Sequence, residues 1–482
     1  MKRKVKLLKG AGVLFLLGFA LLYSHFEVGM SGNESGRFAT VQAVAEQGVF
    51  HIEKCNFRTV DRTVRNNHIY YDKPPMLPFV VGMACKPLYR FWGMNFVDNY
   101  HFLIYLVNLV TGALVNIFIF LWLFDLLRGI KKGSLVLKFA LSLGCVLGSW
   151  IISYSTMFNN HTPAALAFLG LFVALMRYQK VNSAGAALLA GLSAGVAGLL
   201  EIPCGFFAAL AAVGGVFFAS SPENKVRHTL YVLAAGGICL IAGLALNYYA
   251  YGTWLPLYMG SHGVKGTFSI GKQSDPLYYW YHALCGDRGL FLYTPFLLAG
   301  LWGCCRNWKQ MRAPERAVLL SAGGFMLFYL TCTNEFGGQS YGLRYFIPVI
   351  PLLWYQGAKV VLEMEKRKFV IPVAAFLILW GVVTGLGGAY FPFNVGNEGE
   401  RSPKGHFTRN FSSFGGNLLC WSYEYFPRSA MTRHLLERYG LPDSVLYMYW
   451  SYFQCKKMDM LERMQQDFAD LYPGKKISGS VK

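Results

Sequence analysis

Charge is scarce in this sequence. Asp, Glu, Lys and Arg make up only 15% of the chain, whereas soluble domains run at about a quarter. Acid is the scarcer sign, 25 carboxylates against 45 Lys and Arg. The resulting net charge of +20 raises the question of nucleic acid, but the basic residues lack the distribution for it. They fall in short clusters between apolar runs: "KRKVKLLK", "RGIKK", "RYQK", "RNWKQMRAPER" and "EKRK". That is the pattern of short cytoplasmic loops in membrane proteins, so no nucleic-acid partner is expected. The eleven cysteines show no metal-type spacing, which leaves no cysteine metal site to read. Cys420 and Cys455 lie far apart near the C-terminus, and spacing alone does not pair them. There is no internal repeat and no low-complexity tract.

Apolar sequence is what the chain has in excess, with 54% hydrophobic residues and raised counts of Gly (52) and Phe (38). Membrane helices favour such a composition. A length of 482 residues suggests about three soluble domains; the apolar runs override that and predict one membrane body. A crossing helix needs roughly 20 predominantly apolar residues. Eleven segments qualify: 10–26, 101–127, 135–156, 163–178, 184–200, 204–220, 229–249, 289–305, 317–333, 345–362 and 369–390. The expected fold class is an all-α polytopic membrane protein. The first segment fits an uncleaved anchor, since no small-x-small cleavage site precedes Glu34.

The basic clusters set the orientation. Residues 1–9 and the loops bearing "RGIKK", "RYQK", "ENKVR", "RNWKQMRAPER" and "EKRK" fall on the cytoplasmic side. The alternate loops face out. Three outer segments are long: 27–100, 250–288 and a C-terminal tail domain, 391–482, after a membrane domain of 1–390. Short helices are expected in the tail near 430–440 and 456–471. In the first outer loop, Phe38, Val41, Ala45 and Val49 recur at three- and four-residue steps, the stripe of a helix lying on the membrane surface. Residues 74–94 read as a second surface helix opened by Pro74 and Pro75, with a polar excursion, 51–70, between the two.

Chemistry-bearing residues gather on the outer side. Glu34 is suited to be a general base for a hydroxyl; read in isolation, it is first an acid on a helix N-terminus. Asp72 and Lys73 precede a proline pair in "YYDKPP"; Lys73 is a point-charge partner for a lipid phosphate, or an ordinary snorkelling lysine. His161, in "FNNHTP", is suited to a metal or a polar substrate, although a lone exposed histidine usually serves neither. Glu201, in "LLEIPCG", needs a cavity or a partner at that depth. Asp287 and Arg288 suit one another as an ion pair. The turn "EFGGQSYGLRYFIP" crowds Gln339, Tyr341, Arg344 and Tyr345 together. Arg344 is able to grip a phosphate with two hydrogen bonds, or to serve as an interfacial anchor.

"ESGRFA" (34–39), "DKPP" (72–75) and "GGQSYGLRYFIP" (337–348), in that order over residues 1–360, resemble the GT-C superfamily of membrane glycosyltransferases. The resemblance is closest to glycosyltransferase family 39, with its protein O-mannosyltransferases and bacterial aminoarabinose transferases. Where many relatives have Asp-Glu, this chain has Glu34-Ser35. The resemblance implies a GT-C-like bundle in a bacterial cytoplasmic membrane, with an extracytoplasmic site. It implies a polyprenyl-phosphate sugar as donor and a glycan, lipid or protein hydroxyl as acceptor. Glu34 becomes the catalytic base. Arg37, Lys73, Glu201, Tyr341, Arg344 and Tyr345 become substrate-binding residues, with Lys73 on the donor phosphate. Asp72, with His161 as its partner, becomes the ligand of a divalent metal. The rival expectation is a transporter or lipid flippase, which calls for inverted repeats and charges at mid-membrane; the sequence has neither.

Overall fold

The structure, a computed structural model, describes residues 2–26, 28, 32–59, 61–259, 276–286, 288–333, 337, 340–390, 414, 417, 418, 421, 422, 426 and 429–439. In chain order the first helices are α1 (Lys2–Tyr23), α2 (Gly32–Gln42, continued by a π turn, Ala43–Gln47), α3 (Met76–Trp92), α4 (Tyr100–Arg128), α5 (Leu135–Leu147) and α6 (Trp150–Tyr154). Then follow α7 (His161–Val181), α8 (Ala184–Leu200), α9 (Ile202–Ala219), α10 (Lys225–Tyr251), α11 (Pro276–Leu284) and α12 (Leu290–Tyr293). The rest are α13 (Phe296–Asn307), α14 (Ala313–Cys332), α15 (Ile350–Met364, entered through a 3-10 turn, Arg344–Val349), α16 (Val370–Tyr390) and α17 (Ala430–Tyr439).

The protein is mostly helical, and seven of its described helices are long and apolar enough to cross a membrane. Helix occupies every expected apolar segment, but not always unbroken. Residues 135–156 divide at Gly148, where Ser149 caps a new helix by accepting from the Ile151 amide at 3.3 Å. Residues 289–305 divide at Thr294-Pro295, because proline has no amide to continue the ladder. One apolar face of α10 is turned outward, with Ile238, Leu240 and Ile241 exposed, while Val232, Ala235 and Cys239 are buried against the bundle. Contiguous exposed apolar surface of this kind belongs in contact with lipid.

Small residues let the helices approach. Gly198 of α8 and Gly205 of α9 meet so closely that a Cβ on Gly205 would overlap the Gly198 backbone. Close backbone contact of this sort is how membrane helices associate where lipid removes the hydrophobic drive. The main core runs through α4, α5, α7, α8, α9, α14 and α15.

The first loop departs from expectation. Helix α2 does not lie on a membrane surface: Phe38, Val41 and Ala45 are fully enclosed in a second core with Phe57, Phe96, Leu103 and Phe158. Phe38 alone packs against three aromatic rings, with centroids 5.4–6.3 Å away. Helix α3 does keep an outward apolar face, with Val80, Met83, Phe91 and Trp92 exposed. Between them the polar excursion folds into an antiparallel hairpin, β1 (Arg62–Arg65) and β2 (His68–Tyr71). Its two-residue turn is Asn66-Asn67, both with positive φ (49° and 62°). Such a turn matches the right-handed twist of the strands, and asparagine tolerates the conformation.

In the tail, α17 occupies the first of the two expected helices; 456–471 lies outside the described residues. So do Asp287, Gln339 and the possible partners Cys420 and Cys455.

Candidate active site

The site begins at α2. Its first turn is tied down on two sides: Thr59 donates its hydroxyl to the Gly32 carbonyl, and Tyr71 donates to Asn33 Oδ1 at 3.1 Å. Gly36 is obligatory, because a Cβ there would enter the Tyr71 ring. Glu34 and Arg37 are both buried on this helix. Arg37 donates from Nη2 to Asn160 Oδ1, and Asn160 in turn donates to the Leu200 carbonyl at 3.1 Å. One guanidinium thereby joins the first loop, the start of α7 and the end of α8. Its other terminal nitrogen, Nη1, is buried and makes no hydrogen bond within the described residues. A buried donor left so is costly and is suited to an anionic or hydroxylated ligand. Burial lowers the pKa of Arg37, the neighbouring Arg344 lowers it further, and Tyr71, Glu34 and Asp61 oppose the shift.

The second part joins three helices and a turn. Glu201 sits in extended conformation between α8 and α9. Its carboxylate accepts Tyr329 OH at 2.7 Å on one oxygen and lies 2.9 Å from His161 Nδ1 on the other. Tyr345 stacks on Tyr329 (centroids 4.4 Å, 12°) and meets His161 edge-on at 5.7 Å. All four side chains are thus mutually oriented. Arg344 and Arg37 are near enough to act electrostatically on His161. An imidazole held by a carboxylate has its tautomer and plane fixed.

The third part is the end of β2. Asp72 accepts at its carbonyl from the Tyr258 amide (3.1 Å), and Tyr251 OH reaches the Tyr71 carbonyl at 3.5 Å. Lys73 Nζ lies 3.2 Å from Asp72 Oδ1 and 5.7 Å from the centre of the Tyr258 ring. Burial pushes the Asp72 carboxyl pKa up, and Lys73 partly offsets this. Directly beyond Lys73, Pro74, Pro75 and Met76 form part of the wall of a largely apolar cavity of about 550 Å³. The rest of the wall comes from α8, α9 and α10, with Ile202, Phe206 and Leu240, and from Met259 beside Tyr258.

Of the residues expected at the site, Glu34, Arg37, His161, Glu201, Arg344 and Tyr345 come together at one end of the bundle. Asp72 and Lys73 join through Tyr71, whose phenol interacts with Arg37, Asp61, Asp72 and Arg344. Tyr341 is directed elsewhere: it is fully buried, donates to the Thr384 carbonyl at 2.6 Å and packs on Tyr293. Glu201 has both oxygens engaged inside the protein, so its placement is that of an orienting group. Arg288 donates to the Ser340 carbonyl and so holds the turn before Arg344.

The carboxylate of Asp72 pairs with Lys73, and Glu201 holds His161 at Nδ1, as a carboxylate also does for a metal-binding imidazole. Asp72 and His161 belong to no group of three metal-capable side chains among the described residues. The described group of three metal-capable side chains is instead His51, Glu53 and His68. Asn160, Tyr329, Tyr71 and Tyr258 are site residues that the sequence reading missed. Asn160 adjoins His161 in a polar turn, which is a usable signal; Tyr329 lies within an apolar run and offers none.

No protein-family model matches the chain, and no curated protein is significantly similar to it in sequence.

Proposed function

We propose that the protein is an inverting membrane glycosyltransferase, which moves a sugar from a polyprenyl-phosphate donor to a hydroxyl of a glycan, lipid or protein at the outer face of the cytoplasmic membrane. The observation that carries this reading is Lys73 next to the Pro74–Pro75 wall of an apolar cavity, with Tyr71 linking its Asp72 neighbour to a buried group of Glu34, Arg37 and Arg344. A cation beside an apolar groove fits a lipid phosphate, with the polyprenol in the groove and the phosphate on Lys73. The buried acid and guanidinium groups fit the transfer end.

In the reaction, Glu34 takes the proton of the acceptor hydroxyl. The acceptor oxygen forms a bond to the anomeric carbon as the bond from that carbon to the phosphate oxygen breaks. Polyprenyl phosphate leaves with the electron pair, and Lys73 and Arg344 stabilise the charge growing on it. Arg37, through its second terminal nitrogen, orients the sugar or acceptor. The His161–Glu201–Tyr329 chain fixes the geometry around Arg344 without itself reacting. A lipid flippase shares the need for an apolar groove but calls for charges at mid-membrane, whereas here the acid and guanidinium groups gather at one end of the bundle.

The experiment is a comparison of lipids and glycans in cells with and without the gene. Loss of one glycan modification with accumulation of a polyprenyl-phosphate sugar supports the transfer. Loss of the same modification with the donor confined to the inner leaflet would support the flippase instead, and unchanged glycans would overturn the transfer.

A further inference from the structure

Outside the site, three side chains converge on the hairpin that leads into Asp72 and Lys73. His51 Nδ1 lies 2.7 Å from Glu53 Oε2, and His68 Nδ1 lies 3.0 Å from Glu53 Oε1. The two imidazoles stack, with centroids 4.3 Å apart and planes 17° from parallel. One atom of each residue lies within 4.8 Å of the others. We propose that His51, Glu53 and His68 form a binding site for a divalent transition-metal ion of the zinc class. The inference is independent of the glycosyltransferase reading and of Asp72 and His161.

The donor set is right for such an ion. Two imidazoles and a carboxylate make three protein ligands, with a fourth position for water, as in open zinc sites. Imidazole ligands favour zinc, copper and nickel over magnesium and calcium. Bonds of about 2.0–2.1 Å in a tetrahedron place ligand atoms roughly 3.4 Å apart. The present Nδ1–oxygen spacings are a few tenths of an ångström to 0.7 Å shorter, so a modest spreading admits the ion. The stacked rings must also turn so that both lone pairs face one point. They have room, since the side chains of His51, Glu53 and His68 are 25%, 27% and 48% exposed. On binding the ion, each ring gives up the Nδ1–H that now donates to Glu53 and presents the Nδ1 lone pair, with its hydrogen on Nε2.

The backbone is already arranged to hold the group. Glu53 Oε1 accepts from the Ile69 amide at 2.7 Å, and His51 pairs with Tyr70 in an isolated β-bridge. The three ligands thus come from two segments held together: 51–53, after the π turn, and the start of β2. An ion there fastens those segments to one another. Since β2 runs directly into Asp72 and Lys73, the metal becomes a positioning device for that ion pair.

The test uses the full chain purified in detergent, stripped with chelator and titrated with zinc chloride, with bound metal counted by elemental analysis. One zinc per chain is expected. The double variant His51→Ala/His68→Ala should lose it. His68→Gln, which keeps a polar side chain at an exposed position, should weaken it by at least about 100-fold, the upper end of what even supporting residues of metal sites cost. Asp72→Asn should keep the full equivalent. A rise in melting temperature on adding zinc should occur in the parent protein and not in folded His68→Gln. The proposal is overturned if the parent binds no zinc, if the double variant keeps it, or if Asp72→Asn is the change that removes it.

Discussion

Arg37 and Asn160 are hydrogen-bonded although 123 residues separate them in the chain. The bond anchors the first-loop helix to the start of α7, and it brings Glu34 into the same buried group as His161 and Arg344. Arg37→Ala and Asn160→Ala should therefore not be additive. A double-mutant cycle read by thermal melting should give a coupling of about 1–2 kcal/mol, as residues in one buried network do. Additive losses would mean that the bond carries no coupling. Arg37→Lys should not restore activity, because a compact ammonium cannot reach the two positions that the guanidinium fork presents to Asn160 and to a ligand.

Glu34→Gln tests the chemistry directly. The change preserves shape in an enclosed position and removes only the base. Transfer should fall by about 10²- to 10⁴-fold, the usual worth of a general base, with donor binding within about twofold of the parent. Equal activity in the variant removes Glu34 from the mechanism.

Tyr329→Phe deletes one hydrogen bond and leaves the Tyr345 stack in place. A Glu201 oxygen then stays buried without the phenol it now accepts from. The cost should be about 1–3 kcal/mol of stability, seen as a lower melting temperature. Turnover should fall more than apparent donor affinity, since the effect passes through His161.

The apolar cavity makes a prediction about chain length. Leu240 lines it and is 62% exposed, so a larger side chain fits without disturbing the core. Leu240→Trp should raise KM several-fold for a long polyprenyl donor and leave a short-chain analogue unaffected. An equal effect on both would separate the cavity from donor binding.

Acid stability depends on Glu53. Burial alone would raise its pKa, but hydrogen bonds from backbone amides and from His68 and His51 pull it down to about 2 from an ordinary 4.5. A depressed carboxylate stabilises the fold fully above its unfolded pKa, and that contribution is lost as pH falls through the folded one. The window is therefore about pH 4.5 down to about 2. Asp72 has the opposite sign, since burial raises its pKa, so the measurement is a difference. Melting temperature in the parent should fall more steeply between pH 5 and pH 3 than in Glu53→Gln, in metal-free buffer. Parallel profiles would show that those hydrogen bonds do not discriminate between the two protonation states.

The helical body is legible in the sequence because the length and composition of an apolar run decide whether it forms a helix. α8 spans Ala184–Leu200 and α16 spans Val370–Tyr390, within a residue of the segments read from hydropathy. The breaks are partly legible: Pro295 announces one, while Gly148 gives no comparable warning. The turn Asn66-Asn67 is a hairpin signal that the polar reading of 51–70 passed over.

What covers an apolar stripe is another matter. The spacing of Phe38, Val41 and Ala45 determines that one face of α2 avoids water, but lipid and protein satisfy that demand equally. Only the fold decided for protein, by placing Phe57, Phe96 and Phe158 against it. The same limit applies at the site. The sequence put Glu34, Arg37, Asp72, Lys73, His161, Glu201 and Arg344 in its polar turns; the tertiary structure decided that Arg37 meets Asn160, that Glu201 is held by His161 and Tyr329, and that Tyr341 turns away to Thr384. Local sequence sets where polar groups leave the helices, because burying them unpaired is costly. Which partner relieves that cost depends on contacts across more than a hundred residues, and those exist only once the helices have packed.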